Sequence, residues 1–366
     1  MKKCIMHLPW KLSEYSVSAS EIRPLKIKQA FESCGYCVYF IMGDSLERKQ
    51  QIRKLKERLK NHEIFDFMYS ESSTLPMMLT DTDHLPRRPF VDLSLFNLCK
   101  NHKIPIGLFY RDIHWAYPVL KRFNIFKHTF SKIFHLIDII IYNLYLDYFY
   151  LPFNNSKLVY DKIPLLSNKI RISDLMPGCD EVDAKNQKDD YYLYIGGIKP
   201  DLYDLSTVFE AFSVVRDKKL IVCVPEKQWE LYKEYYKDNI SDNIEVVHYV
   251  NKQAQELIKH AKYGLNYFGD NEYRNIAVPL KVFEYITWNT PIISQPHDYT
   301  GVMIKKNTLG FTIEYSSKSL QQLLKNPPSD SEYFETLDSI IRYKSDNMWL
   351  NRAKKVISDL KPKMEN

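Results

Sequence analysis

The sequence predicts an α/β protein made of two Rossmann-like domains that face each other across a cleft. Short apolar runs alternate with helix-length segments along most of the 366 residues, which is typical of a doubly wound parallel sheet. This alternation stops at a charged run with few apolar residues, positions 180 to 190, and then begins again. A chain of this length also exceeds what one hydrophobic core usually spans, so we expect two domains.

The first series of elements precedes the charged run. Predicted strands lie at residues 3–8, 36–42, 65–69 and 104–110, and predicted helices at residues 22–33, 47–60 and 89–101. The most apolar stretch, residues 133–153, is interrupted by His135, Asp138, Asn143 and Asp147, so it does not predict a membrane span. We interpret it as the end of a helix followed by a buried strand at residues 138–142.

The second series follows the charged run. Predicted strands lie at residues 191–195, 220–224, 244–248, 263–267 and 292–294, and predicted helices at residues 205–215, 228–236, 252–260 and 347–360, with a further short helix near Pro279. We therefore predict an N-terminal domain at 1–178, a linker at 179–190, a C-terminal domain at 191–342 and a helical tail at 343–366. Ligands of open α/β sheets bind at the carboxyl ends of the strands, so residues that follow strands are the site candidates.

The formal net charge of +6 is unevenly distributed. Residues 1–180 hold 26 lysines and arginines against 18 acidic residues, a balance of +8, while the remainder holds 25 against 27. A basic N-terminal half suits an anionic lipid surface or a phosphate-bearing acceptor, and an ordinary solvated surface is the alternative. Nucleic acid is not an expected partner, because no helix-turn-helix, zinc-finger or RRM signature accompanies the charge.

Cysteine usage and the chain start predict a cytoplasmic protein. The six cysteines are scattered, mostly among apolar or small neighbours, as free buried thiols are. Cys34 and Cys37 have the spacing of a redox or zinc motif, but a second pair is missing, so we expect neither chemistry. No secretory signal opens the chain, and the G-x-G-x-x-G fingerprint of dinucleotide-binding enzymes does not occur.

The segment from Tyr273 to Ser294 is the most informative part of the sequence. Pro279 suits the start of a short helix, and Lys281 and Glu284 lie three residues apart within its first turns. A cation for a phosphate, the free N–H groups of a helix N-terminus and a carboxylate for a sugar diol together favour a nucleotide-sugar site. The alternative is an exposed Lys–Glu pair with a small effect on helix stability.

The same segment, P-L-K-V-F-E-Y at residues 279–285 followed by P-I-I at 291–293, resembles the donor motif of glycosyltransferases with the GT-B fold, and is similar to glycosyltransferase family four. The resemblance implies that Glu284 holds the ribose hydroxyls and that the backbone from Val278 through Pro279 and Leu280 to Lys281 cradles the pyrophosphate. Many family members carry a further glutamate eight residues before the one that corresponds to Glu284, and this chain has Ile276 at that position. The motif therefore leaves the donor sugar and the stereochemical outcome open.

Five further residues are donor-site candidates. Gly196 and Gly197 follow the first strand of the second series and let backbone approach a ligand closely, although a plain tight turn is the alternative. The resemblance places a glycine turn here with a basic residue nearby, for which Lys199 is the nearest candidate, and it places the nucleotide base near Tyr249. Arg274, just ahead of the motif, could hold a phosphate bidentately or could face solvent.

Asp112 and His114 are the catalytic candidates of the first half. They lie in the sequence Y-R-D-I-H-W directly after a predicted strand, where charged and aromatic residues are costly unless they are paired. Related sugar transferases carry a similar sequence, and some family-four members use a histidine near the donor sugar. An Arg111–Asp112 ion pair with a capping histidine is the alternative.

Two other patterns have less specific meanings. Asp81 and Asp83 have the D-x-D spacing of metal-binding transferases of another fold, but they lie in a proline-rich loop, so we interpret them as turn residues and expect no metal. Residues 120–134 mix cations with aromatic side chains, as helices at membrane interfaces do, and a core-packed helix is an equal alternative.

The sequence thus predicts a hexosyltransferase-type enzyme that moves a sugar from a UDP- or GDP-sugar to an acceptor hydroxyl without a metal or other cofactor. The resemblance suggests retention at the anomeric carbon, a lipid-linked or saccharide acceptor in bacterial surface polysaccharide synthesis, and a tail helix that crosses back to the first domain. We expect a cytoplasmic protein, peripheral at the inner face of the plasma membrane through its N-terminal domain. The alternatives are a non-catalytic partner subunit of an active transferase and a nucleotide-sugar epimerase of the same fold.

Overall fold

The structure is a computed structural model that describes residues 2–12, 19–117, 125–153, 156–184, 187–269 and 277–361. The chain forms two compact units: unit 1 comprises Met1–Met176 and Trp349–Asn366, and unit 2 comprises Pro177–Met348. Each unit is built around its own six-stranded parallel sheet.

Unit 1 contains a sheet with the strand order β2-β1-β3-β4-β5-β6. Its strands are β1 (Lys2–Leu8), β2 (Tyr36–Met42), β3 (Phe67–Glu71), β4 (Ile106–Phe109), β5 (Tyr148–Leu151) and β6 (Arg171–Asp174). Its helices are α1 (Ala19–Ser33), α2 (Ser45–Lys60), α3 (Val91–Asn101), α4 (Ile125–Tyr145), α5 (Ser156–Lys162) and, from the end of the chain, α13 (Trp349–Leu360). The register is regular, with Ile5 of β1 opposite Tyr39 and Met68 of its two neighbours.

Local sequence signals explain where α2 begins and which face it buries. The Asp44 side chain accepts hydrogen bonds from the Leu46 and Glu47 N–H groups, and the Glu47 side chain accepts one from the Asp44 N–H, which completes a capping box. Ile52 and Leu55 are buried, whereas Lys49, Arg53 and Lys54 are exposed. The helix therefore forms as the sequence predicted.

Helix α4 corrects the prediction of a strand at residues 138–142, which is wrong. Four of its buried side chains, His135, Asp138, Ile139 and Tyr142, have the i, i+3, i+4, i+7 spacing of one helix face. The continuous apolar run concealed that period, because the exposed face of α4 is apolar too. Among the described residues, no helix is long and apolar enough to cross a membrane.

The last helix, α13, belongs to unit 1, where it packs against α1. Its final residue, Leu360, reaches β4 at Gly107, where an added Cβ would lie 2.9 Å from a Leu360 methyl carbon. At its first residue, the Arg23 guanidinium lies 5.7 Å from the centroid of the Trp349 ring. Unit 1 is thus completed by a segment distant in sequence.

Unit 2 contains a sheet with the order β12-β11-β10-β7-β8-β9. Its strands are β7 (Asp189–Ile195), β8 (Lys219–Cys223), β9 (Ile244–Val247), β10 (Ala261–Asn266), β11 (Ile292–Ser294) and β12 (Gly310–Thr312). Its helices are α6 (Ser206–Val214), α7 (Glu226–Tyr236), α8 (Asn251–His260), α9 (Leu280–Thr287), α10 (Tyr299–Lys306), α11 (Ser317–Lys325) and α12 (Asp330–Asp346). Strand β7 begins inside the segment predicted as linker.

The strand order of unit 2 creates a switch point between β7 and β10. The chain runs outward from β7 through β8 to β9, then returns to place β10 on the other side of β7 and continues to β11 and β12. The chain leaves β7 towards β8 and arrives at β10 from β9, so the strand order reverses between β7 and β10. Switch points of this kind form a crevice at the carboxyl ends of their two strands.

Candidate functional site

The candidate site of unit 2 lies at this switch point. Gly196 and Gly197 follow the end of β7, and Tyr267, Phe268 and Gly269 follow the end of β10. Since the strands are parallel neighbours, these two short segments lie side by side. This is the position at which open α/β sheets bind their ligands.

Helix α9 is fixed against the sheet by one tyrosine. The Tyr285 hydroxyl donates to the Leu193 carbonyl at 3.1 Å and accepts from the Ile195 N–H at 3.2 Å, which ties α9 to β7. The Tyr285 ring lies against Gly264 of β10, where a Cβ would be 2.6 Å from a ring carbon. Only glycine allows this approach, so the position of α9 depends on Gly264 as well as on its own sequence.

The half-buried face of α9 carries Lys281 and Glu284. The Lys281 Nζ lies 4.1 Å from the centroid of the Tyr194 ring, at the end of β7, and 4.5 Å from that of the Phe268 ring, just after β10. Cations are attracted to the faces of aromatic rings, so these contacts hold the Lys281 charge at the switch point. Glu284 lies one helical turn further on the same face.

The glycine turn after β7 brings backbone close to this cation. Gly196 has φ = +138°, which favours glycine, and a Cβ there would lie 3.9 Å from the Lys281 Nζ. Its N–H donates to the Cys223 carbonyl, while the Tyr194 hydroxyl donates to the Gly197 carbonyl. The turn is therefore held by β7 through Tyr194 and by β8 through Cys223, and Gly196 lies directly beside Lys281.

Helix α7 supports the same turn. The Ile198 N–H donates to the Gln228 Oε1 at 2.9 Å, and a Cβ on Gly197 would lie 3.3 Å from that oxygen. Gln228 therefore fixes the backbone of the turn from outside the β7 segment. The tight space beside Gly197 explains why a glycine follows Gly196.

Lys199 closes a small loop through its backbone. Its N–H donates to the Tyr203 carbonyl, and its carbonyl accepts from the Tyr203 N–H at 2.7 Å. The loop turns the Tyr203 ring edge-on to Phe268, with the ring centroids 5.5 Å apart. Tyr203 thus packs against Phe268, one of the two rings that contact Lys281, while the described contacts of Lys199 are those of loop closure.

Tyr249 lies farther along the same edge of the sheet. It follows β9, which is separated from β7 by β8, so it is about 10 Å from the switch point at the usual strand spacing. Its carbonyl accepts a hydrogen bond from the Cys223 thiol, and its side chain is exposed. Stacking of the ring on a nucleotide base stays a prediction. Arg274 and Ile276 lie outside the described residues.

Pro279 and Leu280 form the start of α9, as predicted. Pro279 is the N-cap residue, with φ = −67° and ψ = 139°, and Leu280 is the first helical residue. The α9 N-cap has no side-chain hydrogen bond. The first-turn N–H groups of a helix have no partner within the helix, so they suit an anion.

Four residues of this site were not predicted as site residues. Tyr194 and Phe268 contact Lys281, and Tyr203 and Gln228 lie against the glycine turn. The aromatic pair Tyr267-Phe268 directly after a buried strand was an available signal. Gln228 gave none, because its contact joins α7 to a turn 30 residues earlier.

In unit 1, Asp112 and His114 follow β4 and contact each other. The Asp112 Oδ1 accepts from the His114 N–H at 2.8 Å, and the His114 Nδ1 lies 3.5 Å from the same oxygen. Arg111 extends elsewhere: one guanidinium nitrogen is 3.4 Å from the buried Glu71, and the group lies over the Trp10 ring. Among the described residues the Asp112 carboxylate is therefore bonded to the His114 backbone, and the His114 Nδ1 forms no hydrogen bond.

A second histidine that the sequence analysis did not select packs against this pair. The His135 ring is stacked on Trp115, with centroids 5.0 Å apart, and meets the His114 ring edge-on at 5.9 Å. Within the part of the chain that the structure describes, neither ring nitrogen of His135 has a hydrogen-bond partner, although the residue is buried. Burial, aided by the nearby His114, lowers its pKa to about 3, so the ring is neutral at physiological pH.

The D-x-D segment consists of turn and capping residues, which confirms that part of the prediction. The Asp81 carboxylate accepts from both the N–H and the hydroxyl of Ser45, at the start of α2. The Asp83 carboxylate accepts from the Leu85 N–H and from the Arg87 side chain. Both carboxylates are thus engaged within the loop and α2.

Comparison with known proteins shows the fold. No protein-family model matches the sequence, and no curated protein matches it. A glycosyltransferase from Rickettsia africae has 11% identity to this chain and a TM-score of 0.63, with 98% of each chain covered. HepE of Anabaena, whose structure holds UDP-glucose, has 10% identity and a TM-score of 0.61, with 97% of this chain and 98% of HepE covered.

WaaG, a glycosyltransferase involved in lipopolysaccharide biosynthesis, has 12% identity and a TM-score of 0.60, with 97% of this chain and 99% of WaaG covered. At identities this low, the likeness shows the fold alone. Together with the two six-stranded parallel sheets, these full-length matches show that the chain has the GT-B fold, which confirms the predicted fold class.

Proposed function

We propose that this protein is a glycosyltransferase that moves a sugar from a nucleoside diphosphate sugar to an acceptor hydroxyl. The observation that carries this proposal is the Lys281 cation, held by two aromatic rings at the switch point and adjacent to Gly196. A diphosphate bound there meets a fixed positive charge, glycine backbone and the N-terminal end of α9. The structural likeness to HepE, whose structure is a complex with UDP-glucose, supports a nucleotide-sugar donor.

The neighbouring residues suit the rest of a nucleotide. We propose that Glu284, one turn beyond Lys281, accepts hydrogen bonds from the two ribose hydroxyls. The exposed Tyr249 ring lies about 10 Å along the sheet edge, a distance that suits the base of the same nucleotide. We therefore propose that the nucleotide lies along the carboxyl edge from β10 towards β9, with the diphosphate over β7. Lys199 and Arg274 are retained as proposed phosphate contacts.

The chemistry required is stabilisation of the departing diphosphate. As the bond from the anomeric carbon to the diphosphate breaks, negative charge grows on the leaving group, and preorganised charges and N–H groups stabilise it. We propose that Lys281 and the first turn of α9 do this without a metal. From the resemblance of the sequence we also propose that Asp112 and His114 act on the donor sugar, and that the configuration at the anomeric carbon is retained.

The acceptor is proposed to be a lipid-linked or saccharide molecule in bacterial surface polysaccharide synthesis. Support comes from the structural likeness to WaaG, which is involved in lipopolysaccharide biosynthesis, and from the basic N-terminal half. The proposed location is the cytoplasm, at the inner face of the plasma membrane, where anionic lipid attracts basic protein surface.

Calorimetry with UDP and GDP tests the donor site. We expect one of the two to bind, and we expect Lys281→Met and Glu284→Ala to raise its Kd about 10- to 100-fold, since charged hydrogen bonds contribute about 1.5–3 kcal/mol. Glu230→Ala is the matched control, because Glu230 forms an exposed pair with Lys233 at the same i, i+3 spacing in α7. Its Kd should equal that of the wild type.

Three outcomes count against the proposal. Failure of the wild type to bind either nucleotide removes the donor site and leaves the non-catalytic subunit. Wild-type affinity in Glu284→Ala refutes the ribose assignment. Conversion of the donor without an acceptor, detected by product analysis, assigns the protein to epimerisation instead.

A further inference from the structure

Helix α4 of unit 1 presents an apolar face to solvent. Phe130, Ile133, Ile140 and Leu144 are 47%, 52%, 47% and 64% exposed. Their spacing of three, seven and four residues places them on one side of the helix, with the half-buried Leu136 and Ile137 between them. We call these six side chains the α4 face. Contiguous exposed apolar surface of this kind marks an interaction site.

The opposite side of α4 is firmly packed, so the exposed side is not a displaced core face. His135, Asp138, Ile139 and Tyr142 are buried there. The Asp138 carboxylate accepts from the Met77 N–H at 2.7 Å, which fixes the rotation of the helix. The apolar residues of the α4 face therefore remain outside the core in the folded unit.

The apolar surface continues beyond the helix. The Asn143 side chain donates to the Leu165 carbonyl at 2.6 Å and accepts from the Ser167 N–H at 2.9 Å, which holds the loop after α5 beside the last turn of α4. In that loop Leu165 is 59% exposed. Leu165 therefore extends the apolar surface next to Leu144.

Positive charges outnumber negative ones near the α4 face. Asp138 is the single acidic residue in α4, and it is buried. Exposed lysines lie within the helix (Lys132), after the Leu165 loop (Lys169) and at the end of α3 (Lys100 and Lys103), against two exposed aspartates, Asp147 after α4 and Asp161 in α5. Helix α3 contacts the last turn of α4 through the Phe96 and Tyr145 rings.

We propose that the α4 face lies in the interfacial region of an anionic phospholipid membrane. An apolar stripe with lysines at its margins matches acyl chains below and phosphate headgroups around them. A second copy of the chain is a poorer occupant, because two such faces in contact would bring like charges together. The purpose of this membrane contact rests on the proposed function: it holds the enzyme at the surface that carries a lipid-linked acceptor.

Cosedimentation of the full chain with vesicles tests the proposal. The vesicles are phosphatidylcholine alone or phosphatidylcholine with phosphatidylglycerol, at low and high salt. We expect the wild type to partition roughly tenfold or more into the anionic vesicles, and salt to weaken this. Ile140→Ser with Leu144→Ser should reduce partitioning by roughly tenfold, and exposed positions make misfolding of this variant unexpected.

The matched control removes the same amount of exposed apolar surface elsewhere. Leu231→Ser with Phe334→Ser changes residues of α7 and α12 that are 69% and 61% exposed, and it should pellet like the wild type. Lys281→Met should also pellet like the wild type while losing nucleotide affinity. Vesicle binding by a protein that binds no nucleotide therefore leaves this inference standing and removes only the donor site.

Three results overturn the inference. The first is a wild type that does not bind anionic vesicles, and the second is an Ile140/Leu144 variant that binds them as well as the wild type does. The third is a concentration-dependent dimer in sedimentation velocity that the Ile140/Leu144 substitutions dissociate, which assigns the α4 face to a second copy of the chain.

Discussion

At the scale of single residues, His135 has a costly environment. It is 2% exposed, and neither of its ring nitrogens has a hydrogen-bond partner among the described residues. An unpaired buried polar group costs about 1–3 kcal/mol. The neutral ring is kept because it stacks on Trp115 and fills the space beside His114.

Replacement of His135 by phenylalanine should stabilise the protein, because the aromatic stack is kept and the unpaired nitrogens are removed. At pH 7.5 we expect a gain of about 1 kcal/mol in the free energy of unfolding. The gain should grow as the pH falls. The folded-state pKa of about 3 lies below the ordinary value, so between these values the unfolded state binds more protons and wild-type stability decreases with decreasing pH.

Urea unfolding at pH 7.5 and pH 5 measures this difference. The phenylalanine variant should lead the wild type by about 2 kcal/mol more at pH 5 than at pH 7.5, since one proton changes stability by about 1.4 kcal/mol per pH unit. His135→Gln separates the two causes, because it removes the titration but keeps polar atoms. A phenylalanine variant that is less stable than the wild type at both pH values would show that the ring nitrogens are satisfied.

At the scale of elements, the site depends on how closely α9 approaches the sheet. The Tyr285 ring occupies the space above Gly264 of β10, and its hydroxyl forms hydrogen bonds with β7, the strand next to β10. Any side chain at position 264 displaces the ring, and with it the helix that carries Lys281 and Glu284. The element thus couples core packing to the geometry of the proposed nucleotide site.

Gly264→Ala should therefore weaken both stability and nucleotide binding. Overpacking of a core costs about 1–3 kcal/mol, and the shift of α9 should raise the Kd for UDP or GDP about tenfold. Gly107→Ala is the matched control: its Cβ would meet the Tyr150 ring at 2.8 Å in unit 1, so it should destabilise similarly. Nucleotide affinity, measured by calorimetry below the unfolding transition, should be unchanged in the control.

The elements that could be predicted are those whose signals are local. The helix after Pro279, the glycine turn after β7 and the second βα series follow from periodicity and turn residues within short windows. The cation–aromatic contacts of Lys281 could not be predicted, because they join α9 to the ends of β7 and β10, which are distant in sequence. Helix α4 was mistaken in part for a strand because both of its faces are apolar, which removes the alternation on which the distinction depends.

At the scale of the whole molecule, the two units differ in how the chain completes them. Unit 2 is one continuous segment, Pro177–Met348, with its own sheet and core. Unit 1 needs α13 from the end of the chain, which covers α1 and reaches Gly107 of β4. The stability of unit 1 should therefore depend on residues that follow unit 2 in sequence.

Ending the chain after Met348 should destabilise unit 1 and spare unit 2. Helix α13 buries Trp349, Val356 and Leu360, and each large apolar side chain taken out of water contributes about 1.5–3 kcal/mol, so unit 1 should lose about 4 kcal/mol or more. Hydrogen exchange followed by mass spectrometry resolves the units. Protection should fall in β1 and β4 and persist in β8 and β10, and UDP or GDP affinity should persist with it.

Two substitutions in the full chain show whether packing is the cause. Val356→Ser, at a fully buried position of α13, should reproduce part of the loss of protection in unit 1, while Lys354→Ser on the exposed side of the same helix should not. Loss of protection in β8 and β10 together with β1 and β4 would contradict the expectation, because it would mean that the two units unfold as one. Equal protection in the truncated and full chains would show that unit 1 holds its core without α13.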